Sequence, residues 1–264
     1  MTNWWPFPPR TQAAQFDERW SFVGKKEARC NPEDPADLCR GDAWDHTAVD
    51  PAHRLVLSLV PGKRTAENCK LLVADVQRRT GGRTDLLLTS DEQPPYKEAL
   101  AQTYAVAVPQ PKRTGPGRPP RPKRELPQDL VYATVHKVRE NGHVVKVLRA
   151  VVFGTTAVLA GLLARLPAAQ RTINTAFVER NNGTERGQNA RKTRRSYRFS
   201  KDWETHHAVS YFTAYSYNFC WAVRTLREKD VAGHWRERTP AMAAGLASHV
   251  WSLQEWALYP AKTG

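Results

Sequence analysis

The chain has 264 residues and 41% of them are hydrophobic, which is enough apolar material for a buried core in one large domain or two smaller ones. Its formal net charge of +14 indicates a nucleic-acid partner first and an anionic membrane surface second. These values argue against a disordered chain. No apolar run approaches the roughly 18 residues that a membrane-spanning helix needs, so we expect no membrane partner.

The amino terminus lacks the charged start and apolar centre of a signal peptide, and we therefore expect a cytoplasmic protein associated with the nucleoid. The four cysteines are Cys30, Cys39, Cys69 and Cys220. Because no pair is separated by only two residues, their spacing matches neither a zinc knuckle nor a disulfide framework.

Three strands are predicted at the start of the chain. Aromatic and polar residues alternate over residues 15–23, which predicts a strand with Asp17 on the face opposite the aromatic side chains. Two further strands are predicted over residues 43–49 and 54–60, joined by a hairpin loop that begins at Asp50. Together they form a meander.

A helix and a buried strand follow. Thr65 is a suitable cap for a helix over residues 66–79. The short apolar run 86–89 is typical of a fully buried strand, and Asp91 lies at its carboxyl end. Open α/β sheets bind their ligands at such ends. The next helix is predicted over residues 96–104.

Residues 109–127 consist almost entirely of Pro, Gly and cations, so they cannot build a core. Arg118, between Gly and Pro, resembles the centre of an AT-hook, which inserts into the DNA minor groove; a plain basic linker is the alternative. An Asn-Gly turn predicts a hairpin of strands 130–138 and 143–153. A helix over residues 156–166 is expected next.

The segment 172–202 carries one carboxylate, Glu179, at the head of a run of arginines. Read as a helix, it places Glu179, Asn182 and Arg186 on one face, where they would meet a single phosphate. A solvated basic helix is the alternative interpretation. An aromatic-rich helix over residues 203–227 and two short terminal helices complete the chain.

This order of elements is that of an RNase H-like nuclease core, an α/β fold with a mixed sheet flanked by helices. We expect the basic Pro-rich stretch and the hairpin to form an insertion in it. The predicted parts are the first part of the catalytic core (1–104), the linker and insertion (105–171), the second part of the core (172–230) and tail helices (231–264). In this fold Asp17 and Asp91 lie on adjacent strands and Glu179 completes an acidic site for two divalent metal ions.

Four sequence blocks then carry a resemblance to a known family. They are FDERWSFVGKK (16–26), WDHTAVDPAHRLVLSLVPGKRT (44–65), LLLTSDEQPPYKEAL (86–100) and FVERNNGTERGQNARKTRRSYRFSKD (177–202). Occurring in this order, they resemble the DDE transposases of the insertion-sequence-one type. The resemblance implies an RNase H-like catalytic domain that uses Mg²⁺, or Mn²⁺ in its place, to cleave DNA at the ends of an insertion element and to join it to target DNA.

The resemblance implies that Asp17, Asp91 and Glu179 are the catalytic metal ligands. Asp50 is a rival for the first position because its block also matches, but an Asp before a Pro in a hairpin loop has a sufficient turn role. The predicted DNA-binding residues are Arg180, Asn182, Arg186, Arg191, Arg194, Arg195 and Arg118.

Departures from the family pattern leave a second function open. Glu92 stands where the family commonly has Gly, and it adds a charge beside the metals. The alternative is therefore a catalytically inactive or truncated transposase-derived DNA-binding protein, and a structure-specific nuclease is a third. Nothing before Gln15 resembles the family's zinc-ribbon and helix-turn-helix region, so we expect this region to be either lost by truncation or encoded in a separate reading frame, in which case a separately encoded recognition protein is a partner. The resemblance also implies a homodimer assembled on DNA.

Overall fold

The computed structural model describes residues 10–108, 123–193 and 196–259, and a six-stranded sheet lies at the centre of this part of the chain. In chain order the strands of the described residues are β1 (Ala13–Val23), β2 (Gly41–Asp50), β3 (Leu55–Val60), β4 (Leu87–Ser90), β5 (Val106–Val108), β6 (Lys123–Glu125), β7 (Val131–Glu140), β8 (His143–Phe153), β9 (Glu228–Lys229) and β10 (Trp235–Arg236). The helices are α1 (Pro35–Leu38), α2 (Ala66–Arg79), α3 (Pro94–Tyr104), α4 (Thr156–Arg165), α5 (Ala176–Gln188), α6 (Trp203–Cys220), α7 (Pro240–Ala243) and α8 (Leu253–Leu258).

The central sheet has the order β3-β2-β1-β4-β7-β8. The first three strands form the predicted antiparallel meander, β4 pairs in parallel with β1, and β7 pairs in parallel with β4. An antiparallel meander that continues into parallel strands, with helices on both faces, is the RNase H-like arrangement. The predicted fold class is confirmed.

The predicted hairpin differs from expectation in its partners. We assigned it to an insertion, whereas its first strand, β7, lies inside the sheet between β4 and β8. The reason is burial: the first five residues of β7, from Val131 to Val135, are all buried, so this half of the strand belongs to the core. The second half of β7 and most of β8 are exposed, and the hairpin therefore projects beyond the packed part of the sheet.

One face of the sheet is covered by α2 and α3. The Thr65 hydroxyl accepts a hydrogen bond from the backbone N–H of Asn68 and caps α2 at the predicted residue. The apolar stripe of α2, centred on Leu72 and Val76, packs on the even-numbered side chains of β1, among them Phe16. This packing turns the odd-numbered side chains of β1, including Asp17, to the opposite face, as the alternation predicted.

The opposite face is covered by α4, α5 and α6. Leu162 of α4 packs on Leu87 and Val131, while Ala214 of α6 packs on Val56 of β3. Between them α5 crosses β1 and β2, and the backbone N–H groups of Phe177 and Val178 in its first turn donate to Gln15 Oε1 of β1. Within the described ranges no helix combines the length and the apolar character needed to cross a bilayer.

Candidate active site at the carboxyl end of the central strands

Three acidic side chains predicted from sequence line one cavity of about 570 Å³. Asp17 lies within β1, Asp91 follows β4 directly, and Glu179 lies in the first turn of α5. The parallel register of β1 and β4 pairs Gln15 with Thr89, so two residues further along Asp17 comes beside Asp91. The strand order therefore brings together two acids that are far apart in the sequence.

A fourth carboxylate, Glu18, belongs to the same group. One carboxylate oxygen from each of Asp17, Glu18 and Asp91 lies within 4.8 Å of the others. Glu18 accepts hydrogen bonds from Gln93 Nε2 at 2.6 Å and from Arg64 Nη2 at 3.2 Å. Glu18 was not predicted as a site residue because the alternation in β1 places it on the same face as the aromatic side chains. Its position next to Asp17 in the sequence was the one feature that could have identified it.

Burial and neighbouring acids raise the pKa values of Asp17 and Asp91. Burial, followed by the charges of Asp91 and Glu18, raises the pKa of Asp17 to about 7. Burial also raises the pKa of Asp91, with smaller contributions from Glu179 and Glu92, against the opposing effects of a backbone N–H and Arg64. Like charges so close together favour the binding of a cation.

The third acid, Glu179, is more exposed than the other two, with 42% of its side chain accessible. Its carboxylate accepts a hydrogen bond from the Thr175 hydroxyl at 2.6 Å and forms an ion pair with Lys137 of β7. Glu92 lines the same cavity and pairs with His136 at 2.8 Å. The rim of the cavity thus holds both Glu179, the expected third metal ligand, and Glu92, the additional negative charge noted in the sequence.

Asn182 lies behind Asp17. It is buried, and its side-chain amide donates a hydrogen bond to Asp17 Oδ2 at 2.7 Å while its oxygen accepts one from Arg19 Nη1 at 3.3 Å. From sequence we expected Asn182 to share a phosphate-binding face with Glu179. The structure gives it a different partner because the helix face that carries Asn182 packs against β1.

A buried ionic network continues from Arg19. Its members are Arg19, Asp45, Glu185, Lys192 and His206. Arg19 contacts Asp45 at 3.1 Å and Glu185 at 2.5 Å, and Lys192 pairs with both acids. His206 Nε2 lies 3.0 Å from Asp45. The network ties α5 and α6 to β1 and β2, and it therefore fixes the helix that carries Glu179.

Asp50, the rival first ligand, does not line the acidic cavity. Its Oδ1 accepts the backbone N–H groups of Ala52 and His53, and its Oδ2 accepts the Thr11 hydroxyl and lies 2.7 Å from His53 Nδ1. These contacts occupy both carboxylate oxygens in a turn after β2. Asp50 therefore stabilises the turn, which is the role that its sequence context suggested.

The predicted DNA-binding cations are spread around α5. Arg180 is exposed and lines a second cavity on another side of the helix, Arg186 is half-buried, and Arg191 lines a third cavity beside Trp20 and Tyr197. Three further predicted contacts, Arg118, Arg194 and Arg195, lie outside the described residues.

The donor set of the acidic cavity suits a hard divalent cation. Asp17, Glu18, Asp91 and Glu179 offer only carboxylate oxygens, the ligand type that Mg²⁺ prefers, and the cavity is open enough for several waters. The residues present therefore fit a magnesium or manganese site.

Two solved transposase structures show a partial similarity to this chain. A Mos1 transposase paired-end complex with the left transposon end is 15% identical with a TM-score of 0.23, over 34% of this chain and 33% of that chain. The Mos1 strand transfer complex is 19% identical with a TM-score of 0.24, over 35% of this chain and 31% of that chain. The match spans about one third of each neighbour's length. No protein-family model and no curated protein matches this chain.

Proposed function

We propose that this chain is a metal-dependent DNA transposase of the insertion-sequence-one type, which cleaves DNA at element ends and joins the freed end to target DNA. The observation that carries the proposal is the convergence of Asp17, Asp91 and Glu179 in one open cavity on an RNase H-like sheet. Buried like charges are costly, and such a group is retained where a bound cation offsets the repulsion.

Each acid has a defined role in this proposal. Asp17, Asp91 and Glu179 hold Mg²⁺ or Mn²⁺, and Glu18 is close enough to supply a further oxygen. Bound metal supplies activation of the attacking hydroxyl and stabilisation of the leaving oxygen of a phosphodiester. The side-chain amide of Asn182 donates to Asp17 Oδ2 and the backbone N–H of Glu18 donates to Asp17 Oδ1, and together these contacts fix the orientation of the carboxylate.

The cations around the cavity hold the DNA backbone. Lys137 and His136 lie on the rim, and each pairs with an acid. A phosphate that enters the cavity offers Lys137 an alternative partner and leaves Glu179 free for a metal ion. The net charge of +14 provides the long-range attraction for this encounter. Because transposition joins two element ends, we propose a homodimer assembled on DNA.

A second candidate function is supported by the same rim. The ammonium group of Lys137 already neutralises Glu179, and Glu92 adds a charge where the resembled family has Gly. A protein in which these contacts persist would bind DNA without cleaving it. We therefore retain a catalytically inactive, transposase-derived DNA-binding protein as the alternative.

The test is cleavage of DNA that contains the sequences flanking the gene, incubated with Mg²⁺ or Mn²⁺. Wild type is compared with Asp17→Asn, Glu179→Gln and Asp50→Asn. We expect activity to be lost in the first two and retained in Asp50→Asn, which loses about 1 kcal/mol of stability from its turn. Loss in Asp50→Asn alone, with that variant folded, would contradict the assignment of Asp17.

The products separate the remaining possibilities. Tight, salt-sensitive DNA binding with no cleavage by any form supports the DNA-binding alternative. Cleaved ends that never join to target DNA indicate a nuclease without strand transfer. Joined products that depend on Asp17 and Glu179 support the transposase.

A further inference from the structure

A second cavity, of about 640 Å³, lies on the side of α5 away from the acidic site. Thr175, which precedes α5, and Glu179 of α5 line the acidic cavity, whereas Arg180 and Asn181 of α5 line this one. We refer to it as the arginine–tryptophan pocket, defined by Arg54, Arg180, Asn181, Tyr217, Trp221 and Arg224. It is separated from the acidic cavity by the width of one helix, roughly 10–12 Å.

The charge of the pocket is entirely positive. Arg54, Arg180 and Arg224 line it, and no Asp or Glu of the described residues does so. Within the described part of the chain none of these three arginines forms an ion pair with a carboxylate. Arg54 is held in place, because its guanidinium lies 4.0 Å over the ring of Phe177 and donates to the carbonyl of Pro51. Burial, together with the nearby charge of Arg180, lowers the pKa of Arg54.

The pocket also has an aromatic wall. Trp221 follows the last residue of α6 and is 52% exposed, and Tyr217 lies one helical turn before it. A half-exposed indole beside cations offers a flat surface on which a base can stack.

Asn181 provides a polar contact at the same place. The residue is 8% exposed, and its side-chain nitrogen has no hydrogen-bond partner among the described residues. A buried amide N–H₂ without a partner is costly, and an acceptor from a ligand would satisfy it. Base edges and phosphates both carry such acceptors.

We propose that the arginine–tryptophan pocket binds an unpaired nucleotide of the DNA strand, with its base stacked on Trp221 and its phosphate held by Arg54, Arg180 and Arg224. The inference rests on the proposed function. It takes the DNA strand whose phosphodiester lies in the acidic cavity to be the same strand that crosses α5 and reaches the pocket. At 3.4 Å per nucleotide, the width of α5 corresponds to roughly three nucleotides. The pocket therefore selects DNA that is unpaired a few nucleotides from the cleaved bond.

The experiment measures binding without metal, so that cleavage plays no part. A fluorescent duplex with a short single-stranded thymine tail and the same duplex with blunt ends are titrated with protein in EDTA. We expect Trp221→Ala to weaken binding of the tailed duplex by about 10-fold, since stacking of one base contributes on this scale, and to leave the blunt duplex almost unchanged. Trp221→Phe should retain most of the affinity.

Matched controls lie in the same part of the chain. Trp235 is 64% exposed outside the pocket, and Arg227 pairs with Glu237. Trp235→Ala and Arg227→Ala should bind the tailed duplex like wild type. Arg224→Ala should weaken its binding and reduce the salt dependence by about one phosphate contact. Thermal denaturation establishes that each variant is folded.

The outcomes for the pocket and for the enzyme are distinct. Equal loss on tailed and blunt duplexes in folded Trp221→Ala, or no loss on either, overturns the pocket even if the protein cleaves DNA. A preference for tailed DNA that depends on Trp221, in a protein that cleaves nothing with Mg²⁺ or Mn²⁺, supports the pocket and overturns the proposed activity.

Discussion

The acidic cavity around Asp17 and the buried network around Arg19 are neighbours on β1, and both side chains point to the same face of the sheet. In the network each acid has a basic partner: Arg19 and Lys192 pair with Asp45 and Glu185. In the cavity Asp17 and Asp91 lie beside each other, and among the described residues neither forms an ion pair, although Arg64, Lys137 and Arg139 line the same cavity. The charges of the buried network are therefore balanced within the chain, and those of the acidic cavity are not.

This difference distinguishes a structural role from a functional one. Burying charge is costly, and in the network the cost is offset by ion pairs within the chain. In the cavity it is not offset, and burial raises the pKa of Asp17 to about 7. A bound divalent cation would offset this repulsion, and the substitutions below test the contrast.

The largest expected effect is the loss of catalysis when the acidic cavity loses one ligand. Asp91→Asn should reduce cleavage by about 10³-fold, because a neutral amide holds a divalent cation poorly. Its thermal stability without metal should not fall, since one like charge is removed. Asp85→Asn at the other end of β4 is the matched control and should cleave normally. A folded Asp91→Asn protein with full activity would contradict the proposed site.

The next largest effect is expected when the network loses its central cation. Arg19→Met leaves two buried acids with fewer partners and should cost about 3–5 kcal/mol of unfolding free energy in chemical denaturation. Arg83→Met, which breaks the more exposed pair with Asp85, should cost less than about 1 kcal/mol. Similar losses in both variants would mean that the network is not the stabilising unit we infer.

Divalent cations should stabilise the protein through the cavity alone. At a Mg²⁺ or Mn²⁺ concentration of about 100 times Kd, wild type should gain about 2.7 kcal/mol, seen as a rise in Tm. Asp17→Asn should show little of this gain, whereas Arg83→Met should show all of it. An equal rise in Asp17→Asn would place the bound cation elsewhere.

A smaller effect is expected at low pH, where the buried network should lose part of its contribution to the free energy of unfolding. Burial disfavours the charge of Asp45, but Lys192, a hydrogen bond from His206, and Arg19 together hold its pKa well below the usual range. Because the folded-state pKa is lowered, this stabilisation is present above about pH 4 and is lost as pH falls through the folded value.

The corresponding measurement is unfolding free energy against pH for wild type and Asp45→Asn. Below about pH 4 the wild type should lose up to about 1.4 kcal/mol per pH unit more than the variant, because only the wild type takes up this proton on unfolding. Parallel curves would show that Asp45 does not titrate in this way.

Much of this arrangement follows from local sequence patterns. The start of α2 at Ala66 and its end near Arg79 follow from a capping threonine that precedes an apolar stripe of helical period. The alternation in β1 correctly placed Asp17 on the face opposite Phe16. The meeting of Asp17 with Asp91 followed from the strand order expected for the fold.

Other features depend on partners that are distant in the sequence. Glu185 and Lys192 resemble surface charges within a basic run, and only the packing of α5 on β1 buries them. Arg19 and Asp45 are direct cross-strand partners of opposite charge, and that pairing was the one local signal of the network. The hairpin pattern predicted β7 but not its pairing with β4, since strand periodicity does not identify a neighbour.

The network also has a consequence for the order in which the chain folds during synthesis. Arg19 and Asp45 leave the ribosome early, but His206, which completes the shell around Asp45, follows 161 residues later. At typical synthesis rates this interval lasts roughly 10–30 s. Until then the nascent meander carries charged groups on a face that later becomes interior, which disfavours premature collapse of that face. The final docking of α5 and α6 therefore acts as a late step that both closes the core and orients Glu179.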